Sequence, residues 1–163
     1  MTGTDHLANI TKILDRDMGA VAKEIELTPD DCLWKSTSGI TNSVGTLARH
    51  LCGNLRHFIG GELGSDGYIR DREEEFIQLP CSKAELLEEI STTRAALVKT
   101  LESLDSERLD APMPNPPPHH KGVTVGFFLT QLSCHLSRHS GQLNYLRRIL
   151  SPVSGGATSG VPD

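Results

Sequence analysis

Aromatic side chains are scarce: the 163 residues include four Phe, two Tyr and one Trp. Leu and Ala are plentiful and the intervals between turn signals are long, which favours helices over a sandwich or barrel. No run of 18 apolar residues occurs, so no transmembrane helix is expected. The first ten residues have no apolar run behind a basic start, so no signal peptide is expected and the protein should be cytoplasmic. Positive charge is also short. Sixteen Lys and Arg stand against twenty-one Asp and Glu, a formal charge of -5, which argues against nucleic acid as a partner. The four cysteines, Cys32, Cys52, Cys81 and Cys134, form no CxxC pair and are expected to be reduced thiols. Cys52 and Cys134 fall in predicted helices, where such thiols act as small buried hydrophobes.

What the chain does have is helical periodicity. Leu7, Ile10, Leu14, Met18, Val21 and Ile25 recur at steps of three or four and predict a first helix over 6–27, with Asp5 as its cap. Thr28-Pro29-Asp30-Asp31 ends it. A loop carrying Trp34 follows, the ring being expected to cover an end of the core or to line a pocket. Ser43 caps a second helix from Val44 to about Gly60, whose apolar face is Val44, Leu47, Ala48, Leu51, Leu55, Phe58 and Ile59. Gly60, Gly61 and Gly64 should interrupt it. The stretch Tyr68 to Phe76 is densely charged, either a solvated turn or a functional mouth in which Arg72 binds a carboxylate and Glu75 orients a ligand. Ser82 and Glu85 match a capping box at the start of a third long helix. Its core side is Leu86, Leu87, Ile90, Leu97, Leu101 and Leu104. A proline-rich connection from Asp105 to Lys121 should cross the surface in extended form, ending at His119 and His120. The last helix runs from about Val123 to Leu150, and the Gly/Ser/Thr-rich residues 151–163 are expected to form a disordered tail. One all-α domain over 1–150, a small bundle of four helices with a long crossover before the last, is the expected fold.

Histidines carry the chemistry. The last helix has a stripe of Phe128, Leu132, His135, His139, Leu143, Leu146 and Leu150, in which two successive rungs are imidazoles one turn apart. Leu136, Ser137 and Arg138 separate them, so the glutamate of an HExxH motif is lacking. On the second helix His50, Asn54 and His57 form a polar row flanking the apolar face, with His57 towards the rim. Turned inward, His50, His135 and His139 would have to be satisfied either by hydrogen bonds or by a metal. Three neutral imidazoles hold a divalent ion and leave a position open, as a catalytic site requires. Imidazole also suits Ni, Fe and Co, so the donor set does not name the ion. Without a carboxylate ligand such a site keeps much positive charge and favours an anionic fourth ligand, hydroxide or thiolate.

The runs Gly45-Thr46-Leu47-Ala48-Arg49-His50-Leu51-Cys52-Gly53-Asn54-Leu55-Arg56, Arg70-Asp71-Arg72-Glu73-Glu74-Glu75-Phe76 and His135-Leu136-Ser137-Arg138-His139-Ser140-Gly141-Gln142-Leu143, in this order, resemble the DinB/YfiT-like superfamily of four-helix metalloproteins, in its DUF1572-like branch. The resemblance implies an up-down-down-up bundle, a homodimer, and a divalent metal on His50, His135 and His139, with Zn or Ni foremost and Fe, Co or Mn as alternatives. It also implies a small-molecule substrate, while the acidic balance argues against nucleic acid and the lack of a long apolar run against a membrane partner. Characterised members include transferases that use bacillithiol or related low-molecular-weight thiols and a mycothiol-dependent maleylpyruvate isomerase. The mechanism expected here is thiol S-transfer, the thiol being a co-substrate deprotonated at the open metal position. Asn54 and Gln142 would position substrate or water, Tyr145 or Glu75 would handle a proton, and Arg72 would receive an acidic group of the thiol. The rival expectations are a hydrolase using metal-bound water and a noncatalytic homodimeric metal-binding protein.

Overall fold

A computed structural model describes residues 3–77 and 81–151 of the chain. Residues 78–80, just ahead of the expected capping box, and residues 152–163 of the expected tail lie outside the described residues. The described residues form five α-helices: α1 (Gly3–Leu27), α2 (Val44–Leu55), α3 (Arg72–Phe76), α4 (Lys83–Ser103) and α5 (Val125–Leu150). Among the described residues there is no strand, only two isolated bridges, Thr37 with Ile40 and Pro112 with Thr124. No helix of the described residues is long and apolar enough to cross a membrane.

The four long helices pack as an up-down-down-up bundle in which α1 and α2 each lie against both α4 and α5. All six stripe residues of α1 and all seven of the α2 face are buried in one core. Their periodicity places them there, because residues three and four apart share one side of a helix. Leu86, Ile90, Leu97 and Leu101 complete the core from α4, while Leu87 and Leu104 pack at its margin. Glu24 of α1 is clamped by Arg147 and Asn144 of α5, which fixes the register of these two helices.

Local side-chain chemistry sets the helix starts. Ser43 accepts from Thr46 N (3.1 Å) at α2, and Thr124 accepts from Phe127 N (3.3 Å) at α5. Ser82 and Glu85 form the complete capping box of α4. Each such bond satisfies an amide that has no partner inside its helix. Replacing Ser82 by alanine should therefore destabilise the protein by ~1 kcal/mol, read as a shift of the urea midpoint at constant slope. Asp5 lies within the first turn of α1, not ahead of it. The expected break at Gly60 is also replaced: α2 continues directly into a π-helical segment, Arg56–Leu63, that carries the chain through both glycines to Gly64.

Because α2 and α4 run the same way, the chain has to travel back along the bundle between them. The short helix α3 lies on that return and packs against α2. Asp71 caps it, accepting from Glu73 N and Glu74 N. The crossover before α5 is not simply extended: it contains 3-10 turns at Ser106–Asp110 and Pro118–His120 and buries Leu109 and Met113. Trp34 lies over the start of α2, its Nε1 donating to Cys81 O at 3.0 Å and its ring pressed on Gly45, where a Cβ would stand 2.6 Å from the ring. All four cysteines are free thiols, and Cys134 is exposed instead of buried, since it lies on the outer side of α5.

Candidate metal centre

His50 projects from α2, and His135 and His139 from successive turns of α5. One ligand nitrogen from each lies within 4.8 Å of the others. His50 Nε2 and His135 Nε2 are 3.1 Å apart, close to the separation of roughly 3 Å expected for two nitrogens bound to one ion at about 2.0–2.1 Å. His50 is buried, whereas His135 and His139 are half-buried. The inward face of α5 passes through Leu129, Leu132, Leu136 and Leu143, so the two imidazoles stand at its margin, not on its midline.

Two neighbours set the tautomers. Glu75, delivered by α3, places Oε2 2.9 Å from His50 Nδ1. A carboxylate only accepts, so Nδ1 carries the proton and Nε2 presents its lone pair to the cluster. Gln142 Oε1 lies 2.6 Å from His139 Nδ1 and has the same effect on that ring. Ligating histidines elsewhere are commonly held by a carboxylate or amide in this way. Glu75 is itself gripped by Arg70, whose Nε and Nη2 donate to its two oxygens at 2.5 and 2.7 Å. Burial would raise the Glu75 carboxyl, but the hydrogen bonds from Arg70 and His50 outweigh it and hold the group below the usual carboxylate range. Gly53 makes this arrangement fit, since a Cβ there would stand 2.1 Å from Glu75 Oε1.

Burial pushes His135 down to about 4, helped by the neighbouring His139 and His50. Burial likewise lowers His139. Both rings are therefore neutral at neutral pH and able to donate lone pairs, so the donor set fits a divalent ion. In the metal-free protein the same shifts make folding pH-dependent. An unfolded histidine titrates near 6.5, so between about 6.5 and 4 the unfolded chain binds a proton that folded His135 refuses. Stability should be level above pH 7 and fall as the pH drops from 6.5 towards 5. Thermal midpoints of the metal-free protein at pH 7.5, 6 and 5 check this. A flat profile between 7 and 5 would contradict the buried neutral imidazole.

The cluster opens on a cavity of about 390 Å³. His50, His135 and Asn54 line its floor with Phe58 and Phe128, whose rings meet edge to face at 4.9 Å. Arg70 and Arg72 of the α3 segment form one wall, and residues 117–120 of the crossover another. No carboxylate is among the lining residues described. Asn54 is one of the lining residues, and among the described residues its Oδ1 is buried without a hydrogen-bond partner, an acceptor left unsatisfied beside the site. Arg72 stacks on Phe76 with 5.4 Å from guanidinium to ring centre.

The structure brings together His50, His135, His139, Asn54, Arg72, Glu75 and Gln142, with two changes of position. Gln142 grips His139 instead of facing the cavity, and Tyr145 stands apart, 70 % exposed and outside the cavity lining. His57 lies 4.0 Å from Glu62 and away from the cluster. Arg70 and Gly53 are contributors that the sequence reading passed over. Arg70 was visible only as one member of a charged run, and nothing local marks Gly53 as a contact for Glu75.

A four-helix bundle with a three-histidine metal-binding cluster at the edge of its core defines a class, that of helical-bundle metalloproteins. Residues 1–154 match the family described as protein of unknown function (DUF1572), and the chain belongs to that family within the DinB/YfiT-like superfamily. No curated protein matches it.

Proposed function

We propose that this protein is a divalent-metal-dependent enzyme that transfers a low-molecular-weight thiol to an electrophilic second substrate. The observation that carries the reading is the donor set: three imidazoles whose ligand nitrogens lie within 4.8 Å of one another, two of them lining a cavity that no carboxylate lines among the described residues. A divalent ion held by His50, His135 and His139, with Zn or Ni the best suited, would supply charge that stabilises a thiolate at neutral pH.

The chain's own residues do the rest. Glu75 and Gln142 hold His50 and His139 in the tautomer that leaves Nε2 free. Glu75 and Arg70 neutralise one another, so Arg72 is the guanidinium left to receive an acidic group of the thiol. Asn54 Oδ1 accepts a hydrogen bond from substrate or water. The Phe58 and Phe128 rings keep the floor dry, which strengthens these charge interactions. The thiolate sulfur forms a bond to the electrophilic carbon, the leaving group departs with the bonding pair, and the thiol proton passes to bulk water. Tyr145 is too exposed to serve as the proton carrier, and Glu75 is committed to Arg70 and His50.

The test is loss of free thiol when the zinc- or nickel-loaded protein is incubated with a panel of thiols and alkylating electrophiles. Thiol-dependent turnover that disappears in His50→Ala supports the proposal. Turnover of an ester or amide without thiol would replace it with a hydrolase, and loaded protein inert to both would refute an enzymatic role.

A further inference from the structure

We propose that the His119–His120 pair is a second recognition site within the cavity, binding the carboxylate of a small organic acid that serves as the electrophilic substrate. The inference rests on the reading of the cavity as a substrate site and names the chemical class of the second substrate.

Position is the first argument. Residues 117–120 line the same cavity as His50 and His135. The His120 ring packs edge-on against Phe128 at 5.5 Å, and Phe128 precedes His135 by two turns of α5, roughly 10 Å along the axis. The pair thus marks the far end of the cavity from the metal cluster. That span leaves room for a second small molecule beside a thiol.

Rigidity is the second. Pro117 and Pro118 fix the backbone on entry, and His120 N donates to Pro117 O at 2.8 Å to close the turn. Val123 N returns to His120 O, and Met113 N to Val123 O, which ties the segment to the root of α5. The two rings lie 4.4 Å apart, and the His120 ring is packed against Phe127 and Phe128. A recognition group gains most when its geometry is fixed before binding.

The third argument is open donors. Among the described residues neither the His119 nor the His120 ring has a hydrogen-bond partner, whereas all three imidazoles of the metal cluster do, and with His119 exposed and His120 half-buried both rings are accessible to a ligand. Each imidazole carries at least one N–H donor to offer. With no carboxylate among the described lining, an anion at this end meets donors and no like charge. The chain as a whole has a charge of -5, so an uncompensated anion-accepting wall is a local departure from its acidic surface.

The experiment uses the full chain loaded with zinc, its seven histidines labelled with 15N, titrated with succinate and separately with the neutral succinamide. Saturable shifts of the His119 and His120 imidazole resonances with succinate alone are expected. A His119→Ala/His120→Ala double variant, which keeps no side-chain donor at either position, should bind succinate about tenfold more weakly or worse, as loss of a hydrogen bond to a charged group implies, with zinc content unchanged. Equal shifts with succinamide, no saturable shift, or full affinity in the double variant would each overturn the proposal. Repeating the titration without zinc separates the two readings. A response at His119 and His120 in a protein that fails to hold zinc sinks the metal reading alone, and silence there in a zinc-loaded protein sinks this one alone.

Discussion

Replacing His135 by alanine is expected to empty the metal site while leaving the bundle folded. His135 is one of two ligands on α5, and its Nε2 faces His50 Nε2 at 3.1 Å, so its removal leaves two imidazoles that no longer surround a common point. Loss of a group that merely holds a ligand in place costs 10–100-fold in metal affinity; loss of the ligand itself should exceed about 100-fold. The fold should tolerate the change. The ring stands at the margin of the core and is neutral because burial disfavours its charge, so no ion pair is broken when it goes. Metal content after purification without added metal, together with zinc titration calorimetry, measures the effect. Tyr145→Phe, altered at an exposed position on the same helix, should bind zinc as the parent does. One ion per chain at parental affinity in His135→Ala would show that the cluster is not the site.

The pair on α5 could be found from sequence because both members belong to one helix, where spacing fixes geometry. The same holds for the caps at Ser43 and Ser82 and for the stripes of α1 and α2, all local relations that survive in the fold. Gln142, three residues after His139, was legible as a neighbour, although the ring and not the cavity is what it meets. Spacing misleads when it is carried too far: Tyr145 is ten residues beyond His135, at about 100° per residue, and emerges on another side of the helix. Cys134 fails in the same way, since a single residue from His135 is enough to turn it outwards. What no spacing could give is the approach of α3 to α2. Glu75 is 25 residues from His50 in sequence, and their meeting depends on the path the chain takes between two parallel helices. Arg70 enters the site by the same return, so its role is a property of the fold and not of the charged run that contains it.

Gly53→Ala should weaken metal binding by about 10–100-fold and destabilise the protein by up to about 3 kcal/mol, the opposite of what helix propensity alone implies. Inside a helix, exchange of glycine for alanine ordinarily stabilises by roughly 0.5–1 kcal/mol. Here the new Cβ would stand 2.1 Å from Glu75 Oε1 and 2.8 Å from its Cδ, separations that force the carboxylate to move. The side chain is not free to swing away, since Arg70 holds both oxygens and His50 Nδ1 donates to one of them. Displacing it would leave Arg70 and the His50 N–H, both largely buried, without their acceptor, a loss that buried charge makes severe. Urea denaturation and zinc affinity read the two consequences separately. The decisive comparison is the double variant with Glu75→Ala, in which the clash and the displaced acceptor have already been removed. In that background alanine at position 53 should be harmless or stabilising, so the two single effects must fall short of adding. Strict additivity would mean that Gly53 acts through something other than the Glu75 carboxylate, and that the tie from α3 to His50 does not govern how well the site holds its ion.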